Sequence, residues 1–260
     1  MPCYNTRMTN VYQDPAAAGA FSQFINSEDG KIQRDLLYQK ISAYITTESA
    51  AVLDAACGQG WLAGRLHENF PRAQVEAFDS SEILIREAKE KYPGIDFRAA
   101  DATQPLPYPA QSFDYVILNM AAHDIDHLSD AFANLHHALK PGGIFLMTVA
   151  NPYYSFPVGV WKRGLSGVLL NKKPALRVRP YHEFRRQSES AGGKLFNWKG
   201  DMSSYFYPLS EYLNRALAAG FALQALHDLD LSTDNPEFNA HYQLHRFPMI
   251  LLLAFKKGGE

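Results

Sequence analysis

The chain has 260 residues, 47% of them apolar and 20% charged, and its 25 Lys and Arg against 27 Asp and Glu leave a formal charge of −2. This is the composition of an ordinary soluble globular protein with a sizeable core, built as one large domain or one domain with an insertion. It excludes a global field that would draw nucleic acid or membrane. Two cysteines, Cys3 and Cys57, exclude a disulfide framework and zinc spacing, so no metal is expected.

Residues 14–46 read as helical, with Ala16–Ile25 and then Leu36–Ile45. From 50 to 150, apolar strands alternate with amphipathic helices. Ala51–Asp54 is a buried strand, followed by a helix from Trp61 whose Trp61, Leu62, Leu66 and Phe70 share a face. Gln74–Phe78 is the second strand. Ser80 is a candidate N-cap for a helix carrying Ile83, Leu84 and Ala88, which Pro93-Gly94 breaks. Ile95–Ala99 and Phe113–Asn119 are the third and fourth strands. A helix opening at Ser129 or Asp130, with Phe132, Leu135 and Leu139 inward, ends at Lys140-Pro141-Gly142-Gly143, and Ile144–Val149 is the fifth strand. Such alternation implies a parallel sheet covered by helices on both faces.

Residues 151–204 break that rhythm and are aromatic and basic. Ten Lys and Arg lie between Lys162 and Lys199, opposed only by Glu183 and Glu189. A helix starting at Pro208 or Ser210 follows, with Leu213 and Leu217, and Gly220 stops it. Phe221–Leu226 and Phe247–Phe255 are the last strands, Pro248 standing at the start of the second, where a missing donor is tolerated. The longest apolar run, Met249–Phe255, is too short to cross a bilayer. The N-terminus has no basic segment followed by an apolar stretch, so a cytoplasmic protein without a signal peptide is expected.

The chemistry concentrates in Val52-Leu53-Asp54-Ala55-Ala56-Cys57-Gly58-Gln59-Gly60-Trp61. A strand ends on an acid, a small-residue loop turns sharply, and a helix begins. Glycines let the backbone approach a ligand, and the helix N-terminus offers free N–H groups at the same place. This is a nucleotide-type cofactor loop at the carboxyl edge of a parallel sheet. Asp79 ends the second strand about 20 residues later, where an acid either accepts ribose hydroxyls or caps the next helix. Asp114 begins the fourth strand, away from that edge, and reads as structural. Asn119-Met120-Ala121-Ala122-His123 lies at the ligand end. His123 is the titratable group there with an ordinary pKa near neutrality, either a general base or a hydrogen-bonded loop histidine.

The order acid, A-C-G-Q-G resembles motif I of class I S-adenosylmethionine (SAM) methyltransferases, with Ala56 in place of the family's first glycine. Phe113-Asp114-Tyr115-Val116 and Leu139-Lys140-Pro141-Gly142-Gly143 resemble two more of its elements. Tyr207-Pro208-Leu209-Ser210-Glu211-Tyr212 with Ala219-Gly220-Phe221, and Arg246-Phe247-Pro248 with Leu251-Leu252-Leu253, resemble the UbiE-like small-molecule branch. The resemblance implies an α/β, Rossmann-like, doubly wound seven-stranded sheet of order 3-2-1-4-5-7-6 with strand 7 antiparallel. It implies a helical lid over 1–46 and a methyltransferase domain over 47–260 that carries an acceptor-recognition insertion at about 151–207. It implies SAM as cofactor and S-adenosylhomocysteine (SAH) as product. The cofactor shell would be Asp54, Ala56, Gly58, Gly60, Asp79, Ser80, Asp101, Ala102, Asn119, Met120 and Tyr12. Asp101 and Ala102 would meet adenine, and Asn119 and Met120 the methionine portion. Tyr153, Tyr154, Tyr205 and Tyr207 are candidates for the acceptor pocket, since aromatic faces suit a sulfonium and a flat substrate.

The reaction expected is O- or N-methylation of a small, aromatic or anionic acceptor, with His123 as candidate base. Three alternatives stand. Gly58-x-Gly60-x-x-Ala63 also fits a dinucleotide fingerprint, but nothing in that fold requires the Asp101-Ala102 and L-K-P-G-G elements. An RNA-modifying enzyme would use the basic and aromatic residues, but Asn119-Met120-Ala121-Ala122 replaces the Asn/Asp-Pro-Pro-aromatic motif of base amino-group methylation, so a nucleic-acid partner is disfavoured. A SAM-binding protein without catalysis is the third. No membrane partner is expected, and the oligomeric state leaves no signature in the sequence.

Overall fold

Each apolar run of the first half becomes a strand. The computed structural model describes residues 11–153, 159–162, 175–178, 187–189, 202–204, 207–229 and 248–258. Two helices, α1 (Pro15–Asn26) and α2 (Glu28–Ser42), precede β1 (Ala51–Ala55). Then come α3 (Trp61–Asn69), β2 (Gln74–Asp79), α4 (Glu82–Lys91), β3 (Asp96–Ala99), β4 (Phe113–Asn119), α5 (Leu128–Ala138) and β5 (Leu139–Ala150). Later in the chain follow α6 (Leu209–Ala218), β10 (Phe221–Leu229) and β11 (Ile250–Lys257).

The seven-stranded sheet has the order β3-β2-β1-β4-β5-β11-β10. The first five strands are parallel to one another, and β11 is antiparallel to both β5 and β10. This is the 3-2-1-4-5-7-6 sheet that the motifs imply. The chain starts at β1, winds outward to β3 and returns to β4 on the other side of β1. The carboxyl ends of β1 and β4 therefore flank the point where strand order reverses, which is where such sheets bind ligands. One face packs Leu62, Leu66, Ile85 and Phe97 with Leu37 and Ile41. The other packs Phe132, Leu135, Phe145, Tyr212 and Phe221.

Several boundaries differ from the sequence expectation, each for a local reason. α2 begins eight residues early, at Glu28 rather than Leu36, because the Ser27 hydroxyl accepts the Gly30 N–H at 3.1 Å and caps it. Ser81, not Ser80, caps α4 by accepting the Leu84 N–H. The buried residues of α6 are Tyr212 and Ala216, while Leu217 is 50% exposed. Lys140–Gly143 does not separate α5 from β5 but bulges out of it, since Phe113 pairs with Leu139 and Tyr115 with Ile144. Gly142 takes φ +76° in this bulge.

The bulge brings Lys140 Nζ to 2.8 Å from Asp114 Oδ1, while Asp114 Oδ2 accepts the Ala51 N–H at 2.8 Å. Asp114 thus ties β1, β4 and β5 together at the amino edge, the structural role its position implies. Between β5 and α6, β6 (Gly159–Lys162) pairs antiparallel with β7 (Ala175–Val178), and β8 (Gln187–Glu189) with β9 (Met202–Ser204). No helix among the described residues is long and apolar enough to cross a membrane.

Candidate active site at the sheet's carboxyl edge

Between β1 and α3 the chain reverses through residues 56–60, and three of these five adopt left-handed backbone: Ala56 (φ 53°), Gly58 (57°) and Gly60 (77°). The loop is held from β2. The Cys57 N–H donates to Phe78 O at 2.9 Å, and the Gly58 N–H donates to Asp79 Oδ2 at 2.9 Å. Asp79 Oδ1 accepts the Ser81 N–H at 2.8 Å, so one carboxylate closes two loops. Asp54 Oδ2 accepts the Ala63 N–H at 3.1 Å and so satisfies an orphan donor in the first turn of α3.

Both acids are buried. Burial pushes the Asp54 carboxyl up to about 8, against the Ala63 hydrogen bond and with help from the Asp79 charge. Burial also raises Asp79, against its bonds from Ser81 and Gly58 and with a contribution from Asp124. Neither has a Lys or Arg partner among the described residues.

The two glycines have different surroundings. A Cβ on Gly58 would meet Phe21 Cε1 of α1 at 3.2 Å, so α1 lies over the loop. A Cβ on Gly60 would strike Phe97 at 2.6 Å, so that glycine is required by packing between α3 and β3. After β3, Asp101 is exposed, and its Oδ1 accepts the Thr103 N–H and hydroxyl at 2.9 and 2.8 Å. Ala102 is buried, and its carbonyl accepts from Asn134 Nδ2.

At the end of β4, Asn119 Oδ1 accepts the Thr148 hydroxyl at 2.6 Å. Met120 is left-handed (φ 54°), and its N–H is shared between the Thr148 carbonyl and hydroxyl, each at 3.0 Å. A short 3₁₀ turn, Ala122–Asp124, then carries His123. Its ring is largely buried, its Nε2 lies 3.9 Å from Asp124 Oδ2, and its Nδ1 has no hydrogen-bond partner among the described residues.

The N-terminal segment reaches this edge. The Tyr12 hydroxyl donates to Asp124 Oδ2 at 3.4 Å, its carbonyl accepts the Ser81 hydroxyl at 2.6 Å, and Gln13 Nε2 donates to Ser80 O. Burial, then the charges of Asp124 and Asp79, hold the Tyr12 phenol well above its ordinary range. Tyr207 donates its hydroxyl to the carbonyls of Ile125 and Asp126, at 2.9 and 2.7 Å, and so ties the start of α6 to the loop after the 3₁₀ turn. Tyr153 is 44% exposed. Tyr154 and Tyr205 lie outside the described residues.

Sequence reasoning missed Asp124, Phe21 and Thr148. Thr148 carried a readable signal, as the single polar residue in the apolar run Ile144–Val149. Asp124 and Phe21 carried none, because their importance depends on residues far away in the chain.

Residues 52–143 match the family model described as a methyltransferase domain. Over these residues the chain is similar to class I SAM-dependent methyltransferases. The domain is 37% identical over 94 residues to the ubiquinone/menaquinone biosynthesis C-methyltransferase UbiE of Desulfotalea psychrophila, covering 35% of this chain and 38% of that protein. It is 32% identical over 132 residues to the fatty-acid O-methyltransferase of Mycolicibacterium smegmatis, covering 50% and 47%. The chain thus matches less than half the length of either relative. The solved SAM-dependent methyltransferase of Mesorhizobium loti superposes with a TM-score of 0.65 at 23% identity, over 83% of this chain and 95% of that one, a likeness of fold.

The residues at this edge fit SAM, the cofactor of the proteins this stretch resembles. Two buried acids without a Lys or Arg partner among the described residues, both raised by burial, are a suitable setting for a sulfonium and an ammonium group.

Proposed function

We propose that the chain transfers the methyl group of SAM to a small-molecule acceptor at the carboxyl edge of β1 and β4. The observation that carries this reading is a pair of buried acids with no Lys or Arg partner among the described residues, Asp79 holding Gly58 of the left-handed loop 56–60 and Asp54 the first turn of α3, within the stretch that matches the methyltransferase model. When bound, SAM supplies a methyl carbon activated by a sulfonium, so the protein's work is alignment, exclusion of water and handling of one proton.

In this reading the loop Ala56–Gly60 with Asp54 holds the amino-acid portion, joined by Asn119 and Met120. Asp79 and Ser80 face the ribose, and Asp101 and Ala102 the adenine. Residues 1–46 form a lid, with Tyr12 reaching the site across the β2–α4 loop. The insertion at 151–207 recognises the acceptor, Tyr153, Tyr154, Tyr205 and Tyr207 being its aromatic candidates. Its basic, aromatic composition favours a flat or anionic acceptor, and O- or N-methylation is the reaction expected. The two relatives act, by their names, as a C- and an O-methyltransferase, so the acceptor atom is an outcome of the test.

His123 serves as the base. His123→Ala is expected to lower turnover about 10²-fold or more while leaving SAM affinity unchanged. Calorimetric titration with SAM, SAH and NAD tests the cofactor, and methyl transfer from labelled SAM to panels of phenols, carboxylic acids, amines and quinols tests the reaction. Binding of NAD in place of SAM would refute the reading. SAM binding with no turnover on any acceptor, quinols included, would favour a binding protein.

A further inference from the structure

We infer that Asp124 is a positioning residue that links the N-terminal segment to His123, fixing the imidazole in its Nε2–H tautomer and leaving Nδ1 as the lone pair that takes the acceptor's proton. The inference rests on the methyl-transfer reading above.

The two nitrogens of His123 stand in different surroundings. Nε2 faces the Asp124 carboxylate at 3.9 Å, while Nδ1 is buried with no partner among the described residues. A carboxylate only accepts, so it selects a protonated Nε2, and a neutral ring then carries its lone pair on Nδ1. The 3.9 Å separation exceeds a hydrogen bond, and catalytic hydrogen bonds often tighten only in the complex. A buried ring nitrogen with nothing to pair with carries a desolvation cost, and an acceptor O–H or N–H would relieve it.

Asp124 is itself held. The same Oδ2 accepts the Tyr12 hydroxyl at 3.4 Å, and the Tyr12 phenol stays protonated because burial and neighbouring acids raise it. The Tyr12 ring stands edge-on to Phe21 at 5.3 Å between centroids, and Phe21 is the side chain that lies over Gly58. A continuous run of contacts therefore connects the glycine loop, α1, Tyr12, Asp124 and His123. Backbone of β9 runs beside the 3₁₀ turn from the insertion side.

The step this arrangement serves balances simply. The acceptor's O–H or N–H bond breaks and its proton moves to Nδ1. The acceptor's electron pair forms the bond to the methyl carbon, and the carbon–sulfur pair stays on sulfur. The resulting imidazolium is stabilised by Asp124.

The test is the tautomer of His123 in the full chain, ¹⁵N-labelled and saturated with SAH, read from multiple-bond ¹H–¹⁵N spectra and assigned by its loss in His123→Gln. A single Nε2–H form with a slowly exchanging Nε2 proton is expected. Asp124→Ala should abolish that protected proton while SAH binding is retained, and Asp124→Asn, whose amide oxygen still accepts, should restore the tautomer. Tyr12→Phe keeps the ring against Phe21 and should speed exchange of the Nε2 proton, which gives a second reading should Asp124→Ala misfold. An Nδ1–H tautomer in the unmodified protein, or a protected Nε2 proton that survives Asp124→Ala, would overturn the inference. Absence of SAH binding would overturn the reading beneath it, and the inference with it.

Discussion

Gly60 and Gly142 share a backbone conformation but not an environment, and replacing each by alanine separates strain from collision. Both lie in the left-handed region, at φ +77° and +76°. An L-residue there costs about 1–2 kcal/mol, offset by about 0.4–1 kcal/mol from the stiffer unfolded chain. A Cβ on Gly142 meets nothing within 4 Å, so Gly142→Ala should cost no more than about 1.6 kcal/mol. A Cβ on Gly60 would lie 2.6 and 2.7 Å from Phe97 ring carbons and 3.1 Å from Ala88 Cβ. Phe97 is 1% exposed and packs against Tyr92, so it has nowhere to turn. Overpacking of this kind adds about 1–3 kcal/mol, and Gly60→Ala should therefore cost about 1–4.6 kcal/mol in all. Urea unfolding would report this as a lower midpoint at constant m-value. Equal losses in the two variants would show that the contact with Phe97 is not what requires glycine at position 60.

Ala56→Gly should stabilise the protein by up to about 1.6 kcal/mol, the left-handed strain relieved less the added chain entropy, and thermal unfolding would show a midpoint raised by up to about 6 °C. Asp79→Ala should weaken SAM binding by roughly 1.5–3 kcal/mol in calorimetry. It should also cost about 2–4 kcal/mol of stability, because the N–H groups of Gly58 and Ser81 lose their acceptor. An acid raised from 3.8 to about 8 by burial binds its proton more tightly when folded, so Asp54 makes stability fall as pH rises across that window and level off above it. Asp54→Asn should make that slope shallower in urea titrations at several pH values, and an unchanged slope would mean that Asp54 is already ionised in the folded state.

The strands and most helices were legible because their signals are local: apolar runs, a 3.6-residue period, glycines and prolines between them. The elements that shifted depend on partners. Lys140–Gly143 reads as a turn, and it becomes a bulge within β5 only because β4 pairs on both sides of it. Leu217 fits the helical stripe of α6, yet Tyr212 and Ala216 are the residues the second core takes. At the site, the glycine loop and the strand-end acids were readable from spacing alone. The contact of Tyr12 with Asp124 was not, since the two are 112 residues apart and neither belongs to a periodic pattern.

The distribution of local irregularity argues for where function lies. At the amino edge of the sheet, Asp114 is fully engaged by Lys140 and Ala51, and the two hydrogen bonds to it outweigh burial to keep its carboxyl below the usual range. At the carboxyl edge the rules of a quiet interior are broken repeatedly. Among the described residues, two of the three left-handed non-glycine residues, Ala56 and Met120, are there, while the third, Gln111, sits in an exposed turn. So are Asp54 and Asp79, and so are two of the three orphaned buried side-chain atoms among the described residues, on Gln59 and His123. Each departure alone costs on the order of 1–3 kcal/mol, and random drift would scatter such costs over the molecule. Their concentration where the strand order reverses is what a fold shows when an edge is kept for a ligand that completes it.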